Sequence, residues 1–575
     1  MNLSAKRIAQ LGQWLPLAFV GVFGVVFIAR TGFFVNDQLH FTLFDDAMIS
    51  MQYARNLADG HGLVWVAGGP EVQGYTNPLW VLIMAAVHLL PIPTRLMSLP
   101  IMILGLACCL GIVEGVRRLA REITTPGWAN VAAGGVALFY PLLFWSLRGM
   151  EVGFVTLLLT WAVLHAARLQ TNPGATQPWL VGTLLAIAVL TRLDLLIPAV
   201  VISAWCAWQI RDRRVATVLA VGAPPAVAFV FLELLQKAYY GSYLPNTYTL
   251  KLGQVPITDR LARGSLALGQ TLVLELALPV ALFAYALVRP PKALPKAGQS
   301  VLWLLGAIVV LQCAYSVYVG GDAWESDRLA NRYLTTVVPL LVVGAVVGLV
   351  ALVDRLEAKR TAWIIGAGIA ALAVIDLADP FALERIQQTG SPRSAIAGRV
   401  LVLLVSAGLI VWGWGRLKPP TMAVVLCLVL AMMINSELYG VWLVQNAQES
   451  QADERNVALA LKVKRVTESD ALIGVVTAGA IPYFSERPAI DFLGKTDPMI
   501  ANLKNHPGFA FHPGHSKWDI ALSVKTWQPD VIAQLWYEDR TTVAADLRSL
   551  GYTPLGEFWI KPNTNLVDRA ALSAN

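Results

Sequence analysis

Residues 99–116 read LPIMILGLACCLGIVEGV, an apolar run with a single charge, Glu114, and it stops at Arg117, Arg118 and Arg121. A helix rises about 1.5 Å per residue, so a run of this length covers most of the ~30 Å hydrocarbon layer of a bilayer. The arginines behind it mark a cytoplasmic end. Working outward, the same pattern recurs near 11–29, 128–147, 152–168, 178–191, 195–210, 215–235, 266–288, 300–318, 334–353, 362–378, 398–415 and 421–439, which makes thirteen expected crossings. Lys6 and Arg7 place the N-terminus in the cytoplasm, and Arg289, Lys292 and Lys296, then Arg355, Lys359 and Arg360, fall on that same side. The apolar stretch Pro78 to Leu90 is too short to span and suits a juxtamembrane or re-entrant helix, which keeps the parity of the loops.

Composition agrees. The chain has 575 residues, of which 56% are hydrophobic and 14% charged, against about 25% charged in a soluble domain. Its mean hydropathy is +0.59, spread along most of the length, so a soluble enzyme on one anchor and a disordered chain are both excluded. A pI near 9.1 and a formal charge of +7 would suggest nucleic acid in a soluble protein; here excess Lys and Arg reports topology, and nucleic acid is not an expected partner. The five cysteines all lie in apolar runs, so no disulfide framework is expected.

Beyond residue 440 the charges rise and the apolar runs shrink to strand length. Ala471 to Thr477, Ala489 to Phe492, Val531 to Leu535 and Phe558 to Lys561 read as strands, with Glu454 to Val466 among the helices between them. The expected fold is a polytopic α-helical membrane protein of about thirteen transmembrane helices. Residues 1–440 form the membrane domain, 31–98 its first external loop with juxtamembrane helices, and 441–575 an external α/β domain.

Ionisable residues that serve neither topology nor solvation mark function in a membrane protein, and here they converge on the external face. The first external loop carries Asp45 and Asp46, where a carboxylate facing a cavity can accept a proton; a helix N-cap is the structural alternative, and one residue can cap while the other faces the cavity. Arg55, Arg148, Arg192, Lys251, Arg328 and Arg332 stand on the face where positive-inside bias predicts few cations. Together they suit an anionic group such as phosphate, the alternative for each alone being snorkelling to headgroups. Gly494-Lys495-Thr496 resembles the end of a phosphate-binding loop, but Ala489 stands where the earlier glycine is required, so that reading fails. His506, His512 and His515 sit among Pro and Gly without metal-ligand spacing.

The ordered set Asp45-Asp46-Ala47, Tyr53-Ala54-Arg55-Asn56, Gly74-Tyr75-Thr76-Asn77-Pro78, Gly149-Met150-Glu151, Arg192-x-Asp194, Tyr240-Gly241 through Asn246, and Gly320-Gly321-Asp322 resembles the bacterial GT-C glycosyltransferases that use polyprenyl-phosphate sugars. Within them it is most similar to the arabinofuranosyltransferases, among them the mycobacterial terminal enzyme and the pilin-modifying enzyme of some Gram-negative bacteria. The likeness runs from about residue 40 to 335.

The resemblance implies a GT-C fold and a carboxylate of the first external loop as general base, here Asp45, with Asp46 the other candidate. It implies transfer of arabinofuranose from a polyprenyl-phosphate donor to a glycan or protein hydroxyl. The donor phosphate would lie on Arg192, Lys251 and Arg332, with Arg55 and Arg328 behind them. The motif residues Tyr75, Asn77, Glu151, Asp194, Tyr240, Asn246 and Asp322 would contact substrate. In the C-terminal domain, Ile481-Pro482-Tyr483, Asp491 and His515-Ser516-Lys517 would help present the acceptor. The pattern departs from the family after Asp322, where the following arginine is displaced to Arg328 by Ala-Trp-Glu-Ser-Asp. With this cationic cluster no metal or other cofactor is expected beside the donor lipid. The expected location is a bacterial inner membrane, with the active site facing the periplasm.

Within the transferases, mannose or another hexose is the second sugar. A lipid-linked-sugar transporter or flippase is the competing class; it should show repeated halves and midplane charges, and the sequence shows neither. A receptor or assembly scaffold is a third, separated from the first by the effect of changing Asp45 or Asp46.

Overall fold

The computed structural model describes residues 13–573 apart from 173–175, 211–213, 326–330, 356–357, 378–391, 415, 417–437, 440–441, 444–445, 448 and 537–539. Lys6, Arg7, Arg328 and nearly all of the expected span 421–439 lie outside the described residues.

Helices form where the apolar runs stand. After α1 (Leu15–Thr31) comes a hairpin of β1 (Phe33–Val35) and β2 (Gln38–His40). Its turn residues Asn36 and Asp37 have φ of 50° and 60°, the left-handed pair that a two-residue hairpin loop needs. The chain continues through α2 (Asp45–Ala58) and α3 (Pro78–His88) into α4 (Ser98–Ile123). Next, α5 (Pro126–Ala137) and α6 (Tyr140–Leu147) are one apolar run bent by 55°. Phe139 is extended there, and Pro141 has no N–H to carry the helical ladder across. The bundle continues with α7 (Val152–Thr171), α8 (Pro178–Thr191), α9 (Leu196–Gln209), α10 (Arg214–Tyr240), the short α11 (Asn246–Leu252), α12 (Ile257–Leu274) and α13 (Ala277–Val288). It ends with α14 (Lys296–Tyr318), the single turn α15 (Arg332–Thr335), α16 (Val338–Val353), α17 (Ala358–Leu377) and α18 (Pro392–Gly413). Within it α4 packs on α7, α8 on α10, and α13 on α16.

The chain is a multi-pass membrane protein by these helices. Among the described residues four of them, Thr94–Ile123, Val152–Thr171, Arg214–Tyr240 and Lys296–Tyr318, are long and apolar enough to cross a membrane singly, and two bent pairs raise the number to six. Thirteen were expected: of the others, Leu15–Thr31, Pro178–Thr191, Leu193–Gln209, Val338–Val353 and Leu403–Gly413 are apolar but shorter, and 421–439 lies almost wholly outside the described residues. Pro78–His88, left out of the expected spans, is a helix of 11 residues.

The C-terminal domain comprises α19 (Ser450–Val466), β3 (Ile473–Val475), α20 (Ala480–Ser485), β4 (Ala489–Asp491), α21 (Pro498–Ala501), α22 (Ile520–Trp527), β5 (Val531–Ile532), α23 (Arg540–Ser549), β6 (Thr553–Leu555), β7 (Phe558–Ile560) and α24 (Arg569–Ser573). The sheet runs β4-β3-β5-β7-β6, with β4, β3 and β5 parallel and the other pairings antiparallel. Each strand read from the sequence is present. The unanticipated β6 contains Pro554 and lies at the sheet edge, where a missing N–H is tolerated. In open sheets the carboxyl ends of parallel strands are the ligand side. Here the loops that leave β3 and β4 at those ends meet the helical domain: Trp65 Nε1 donates to Ala478 O (3.1 Å), and Asn246 Nδ2 to Gly494 O (2.9 Å). One apolar core runs through both domains, joining α2, α4 and α7 to Val457, Ile473, Val475 and Tyr483.

Candidate active site

Helix α2 begins at the acidic pair. Its N-cap is the extended Phe44, whose N–H donates to Arg148 O at 2.9 Å, so neither aspartate caps the helix. Consecutive helical side chains point ~100° apart, and the two carboxylates diverge. Asp46 lines a cavity of about 70 Å³. Asp45 turns to the C-terminal domain, where its Oδ1 accepts from Gly479 N (3.1 Å) and Ala480 N (2.8 Å).

One wall of the cavity is a continuous hydrogen-bonded chain built from five separate stretches of sequence. Ser50 Oγ donates to Asn77 Oδ1 (3.0 Å), and Asn77 Nδ2 to Glu151 Oε2 (2.9 Å). Arg192 then gives Nη1 to Glu151 Oε1 (2.6 Å), while its Nε and Nη2 hold Asp194 at 2.8 and 3.2 Å. Gln312 Nε2 completes the chain on Asp194 Oδ2 at 3.2 Å. Glu151 is placed by Gly149, whose φ of +82° turns the chain from α6 into α7 and whose carbonyl accepts from Trp80 Nε1 at 2.9 Å.

The opposite wall is cationic. Arg332 forks onto Asp322, Nε to Oδ2 at 2.6 Å and Nη2 to Oδ1 at 2.7 Å, and gives Nη1 to Asp46 Oδ2 at 3.0 Å. Lys495 Nζ lies 3.3 Å from Asp46 Oδ1. Lys251 lines the same cavity, and no ion pair engages its ammonium among the described residues. Burial alone would raise the Asp46 carboxyl, but Lys495, Arg332 and Lys251 hold it well below the ordinary range. Burial pushes Asp45 up to about 6, against the pull of Lys495. Burial, then Lys495 and His512, keep His515 well below its usual value, so it faces the cavity as neutral imidazole.

Of the residues expected at a substrate site, Asp46, Tyr75, Asn77, Glu151, Arg192, Lys251, Arg332 and His515 line this cavity. Asp194 and Asp322 stand behind it as partners of the two arginines. The rest lie elsewhere. Arg55 donates to Tyr483 O (2.7 Å) and Gln52 Oε1 (2.7 Å) at the domain interface, away from any phosphate position in the cavity. Tyr240 donates to Leu63 O (2.9 Å) and meets Tyr75 OH at 3.0 Å, bracing that ring from behind. Asn246 ties down Gly494 and Lys495, and the Lys517 ammonium is spent on the carbonyls of Thr249, Gly253 and Ala501 at 3.2, 2.6 and 2.7 Å. The arginine that follows Asp322 in space is Arg332, whereas Arg328 lies outside the described residues. Ile481, Pro482 and Tyr483 pack inside α20, and Asp491 is engaged with backbone N–H groups. Sequence reasoning missed Lys495, whose only signal was the rejected Gly494-Lys495-Thr496 triplet. Among the described residues no three His, Cys, Asp or Glu side chains are grouped to hold a metal ion.

The helical bundle and the sheet domain form a fold that resembles the GT-C membrane glycosyltransferases. The chain is similar to ArnT from Cupriavidus metallidurans in the apo state, with a TM-score of 0.59 at 12% identity, covering 95% of this chain and 97% of that one. Against ArnT bound to undecaprenyl phosphate the TM-score is 0.55 at 13% identity, covering 96% and 98%. The Archaeoglobus fulgidus oligosaccharyltransferase in the apo form follows at 0.46 and 11%, covering 84% of this chain and 64% of that one. Residues 442–571 match a sequence family described as a domain of unknown function, DUF8728. No curated protein matches the chain by sequence.

Proposed function

We propose that the protein is a polyprenyl-phosphate-dependent glycosyltransferase that moves arabinofuranose to a hydroxyl of a glycan or protein. The observation that carries this reading is a carboxylate, Asp46, set in one cavity with Arg332, Lys251 and Arg192. The polyprenyl-phosphate donor is supported by the likeness of fold to an ArnT bound to undecaprenyl phosphate. The sugar rests on the motif resemblance. The asymmetry of Lys and Arg between the loops supports a bacterial inner membrane with the cavity open to the periplasm.

In the reaction, the acceptor oxygen attacks the anomeric carbon as the bond from that carbon to the phosphate oxygen breaks. The hydroxyl proton passes to Asp46, and the bonding pair stays on the leaving polyprenyl phosphate. An alcohol is a poor nucleophile at neutral pH, and a positioned base contributes typically ~10²–10⁴ in rate. The charge that develops on the phosphate is met by the fixed cations Lys251 and Arg332, which need no reorganisation. Arg192, anchored by Asp194 and Glu151, holds the opposite wall in place. Asp45 acts as a positioning residue, keeping the C-terminal domain against the start of α2.

The test is turnover of labelled polyprenyl-phosphoryl arabinofuranose by the purified protein, beside the mannose donor. Arabinose turnover is expected. Mannose turnover alone would overturn the sugar and keep the chemistry, and turnover of neither would overturn the donor class.

A further inference from the structure

Lys495 reaches the cavity from the C-terminal domain along a route built to hold it. Where β4 ends, Asp491 accepts from Leu493 N (2.9 Å) and Thr496 N (3.0 Å), curling the chain. Gly494 sits in the curl at φ +76°, where a side chain would meet Ile500 Cγ2 at 2.8 Å. From the helical domain, Asn246 Nδ2 donates to Gly494 O (2.9 Å) and Lys495 O (3.0 Å). The backbone on either side of Lys495 is therefore fixed by both domains. Its side chain is 12% exposed and lines the cavity, with Nζ 3.3 Å from Asp46 Oδ1. Burial acts to lower its pKa, yet Asp46, Asp45 and Asp491 more than offset this, so it stays cationic.

The cations of this cavity are not equally available. Arg332 shares its charge between a bidentate bond to Asp322 and a contact with Asp46, and Arg192 is shared between two carboxylates. Lys495 has three N–H donors and, among the described residues, one ion-pair partner, Asp46.

We infer that Lys495 is a ligand of the donor phosphate, so that the domain of unknown function completes the transferase site with a cation of its own. The inference rests on the reading of the cavity as a polyprenyl-phosphate-sugar site. Phosphate oxygens take the place of Asp46 on the Lys495 ammonium, and Asp46 Oδ1, no longer held by Lys495 while Oδ2 stays on Arg332, is open to accept the acceptor's proton. This also gives a physical use to the Gly494-Lys495-Thr496 triplet. It binds phosphate through one side chain held by tertiary contacts, not through the backbone cradle that a phosphate-binding loop provides.

The experiment titrates undecaprenyl phosphate, without sugar, into the detergent-purified full chain and follows tryptophan fluorescence. Lys495→Met is expected to weaken binding ~10- to 100-fold, the loss typical of a charge-assisted hydrogen bond, and Lys495→Arg to stay within a few-fold of the parent. Lys495→Gln serves the same comparison if Met unsettles the domain. Parent-like binding by Lys495→Met or Lys495→Gln, with weakened binding by Lys251→Met, would overturn the role of Lys495 while leaving the donor reading intact. Failure of the parent protein to bind undecaprenyl phosphate would overturn the donor reading and this inference with it.

Discussion

Asp45 and Asp46 are adjacent in the first turn of α2, yet their carboxylates serve different domains. Asp46 Oδ2 accepts from Arg332 Nη1 at 3.0 Å inside the cavity, and Asp45 Oδ1 accepts from Ala480 N at 2.8 Å on the C-terminal domain. The pair therefore joins the cavity to the contact that ties the C-terminal domain to the start of α2.

The two substitutions should separate. Asp46→Asn is expected to lower kcat by ~10²–10⁴ with the protein still folded, as loss of a general base does. Asp45→Asn should leave the greater part of kcat at neutral pH, because the amide oxygen still accepts from the two N–H groups. Full activity in Asp46→Asn with loss in Asp45→Asn would move the base to Asp45. Steady-state rates beside size-exclusion profiles decide it.

Asp45 also predicts a pH dependence. Its folded value, raised by burial to about 6, lies above its ordinary 3.8. Between those values the folded state keeps a proton that the unfolded state releases, so this contribution is full below about pH 4 and is lost as pH rises through 6. Melting temperatures of parent and Asp45→Asn, compared from pH 4.5 to 7, should show the parent losing ground to the variant as pH rises. A constant difference would sink the assignment.

Arg148 is fully buried and pairs through Nη2 with Asp453 of α19, giving Nη1 to Thr42 O at 3.3 Å. Asp453→Asn leaves that guanidinium without its counter-charge, which costs roughly 3–5 kcal/mol at a buried pair. Thermal unfolding in detergent should drop accordingly. Replacing both partners together, Arg148→Met with Asp453→Leu, should be milder. Activity should fall with Asp453→Asn, because the Arg148 carbonyl fixes the start of α2 through Phe44 N.

Arg192 engages two carboxylates with three of its nitrogens. Lysine cannot reproduce a planar fork, so Arg192→Lys leaves Glu151 or Asp194 buried and under-satisfied. Stability should fall by ~1–3 kcal/mol, with a raised KM for the donor. An unchanged melting temperature and KM would show that this wall is not part of the site.

Much of the architecture was legible because it depends on local chemistry. Apolar runs the length of 99–116 leave a chain little choice but helix in hydrocarbon, and short Val- and Ile-bearing runs between turn residues specify the strands at Ile473, Ala489, Val531 and Phe558. The number of crossings was less legible, since a run such as Leu15–Thr31 or Val338–Val353 forms a helix whose length falls short of a full span. The motif residues were legible as a set, and eight of them meet in one cavity.

What the sequence alone determined is therefore the order and type of the elements and the pool of carboxylates and cations that line the cavity. What only the tertiary structure decided is how that pool is shared out. It decided that Asp46 and not Asp45 faces the cavity, that Arg55 and Lys517 hold domains together, and that Lys495 joins Asp46 across a sequence separation no motif records. The physical reason is directional. A residue's type is set by its codon, but where its charged end points depends on the rotation of its helix, the packing that locks that rotation, and the partner that the other domain brings to it.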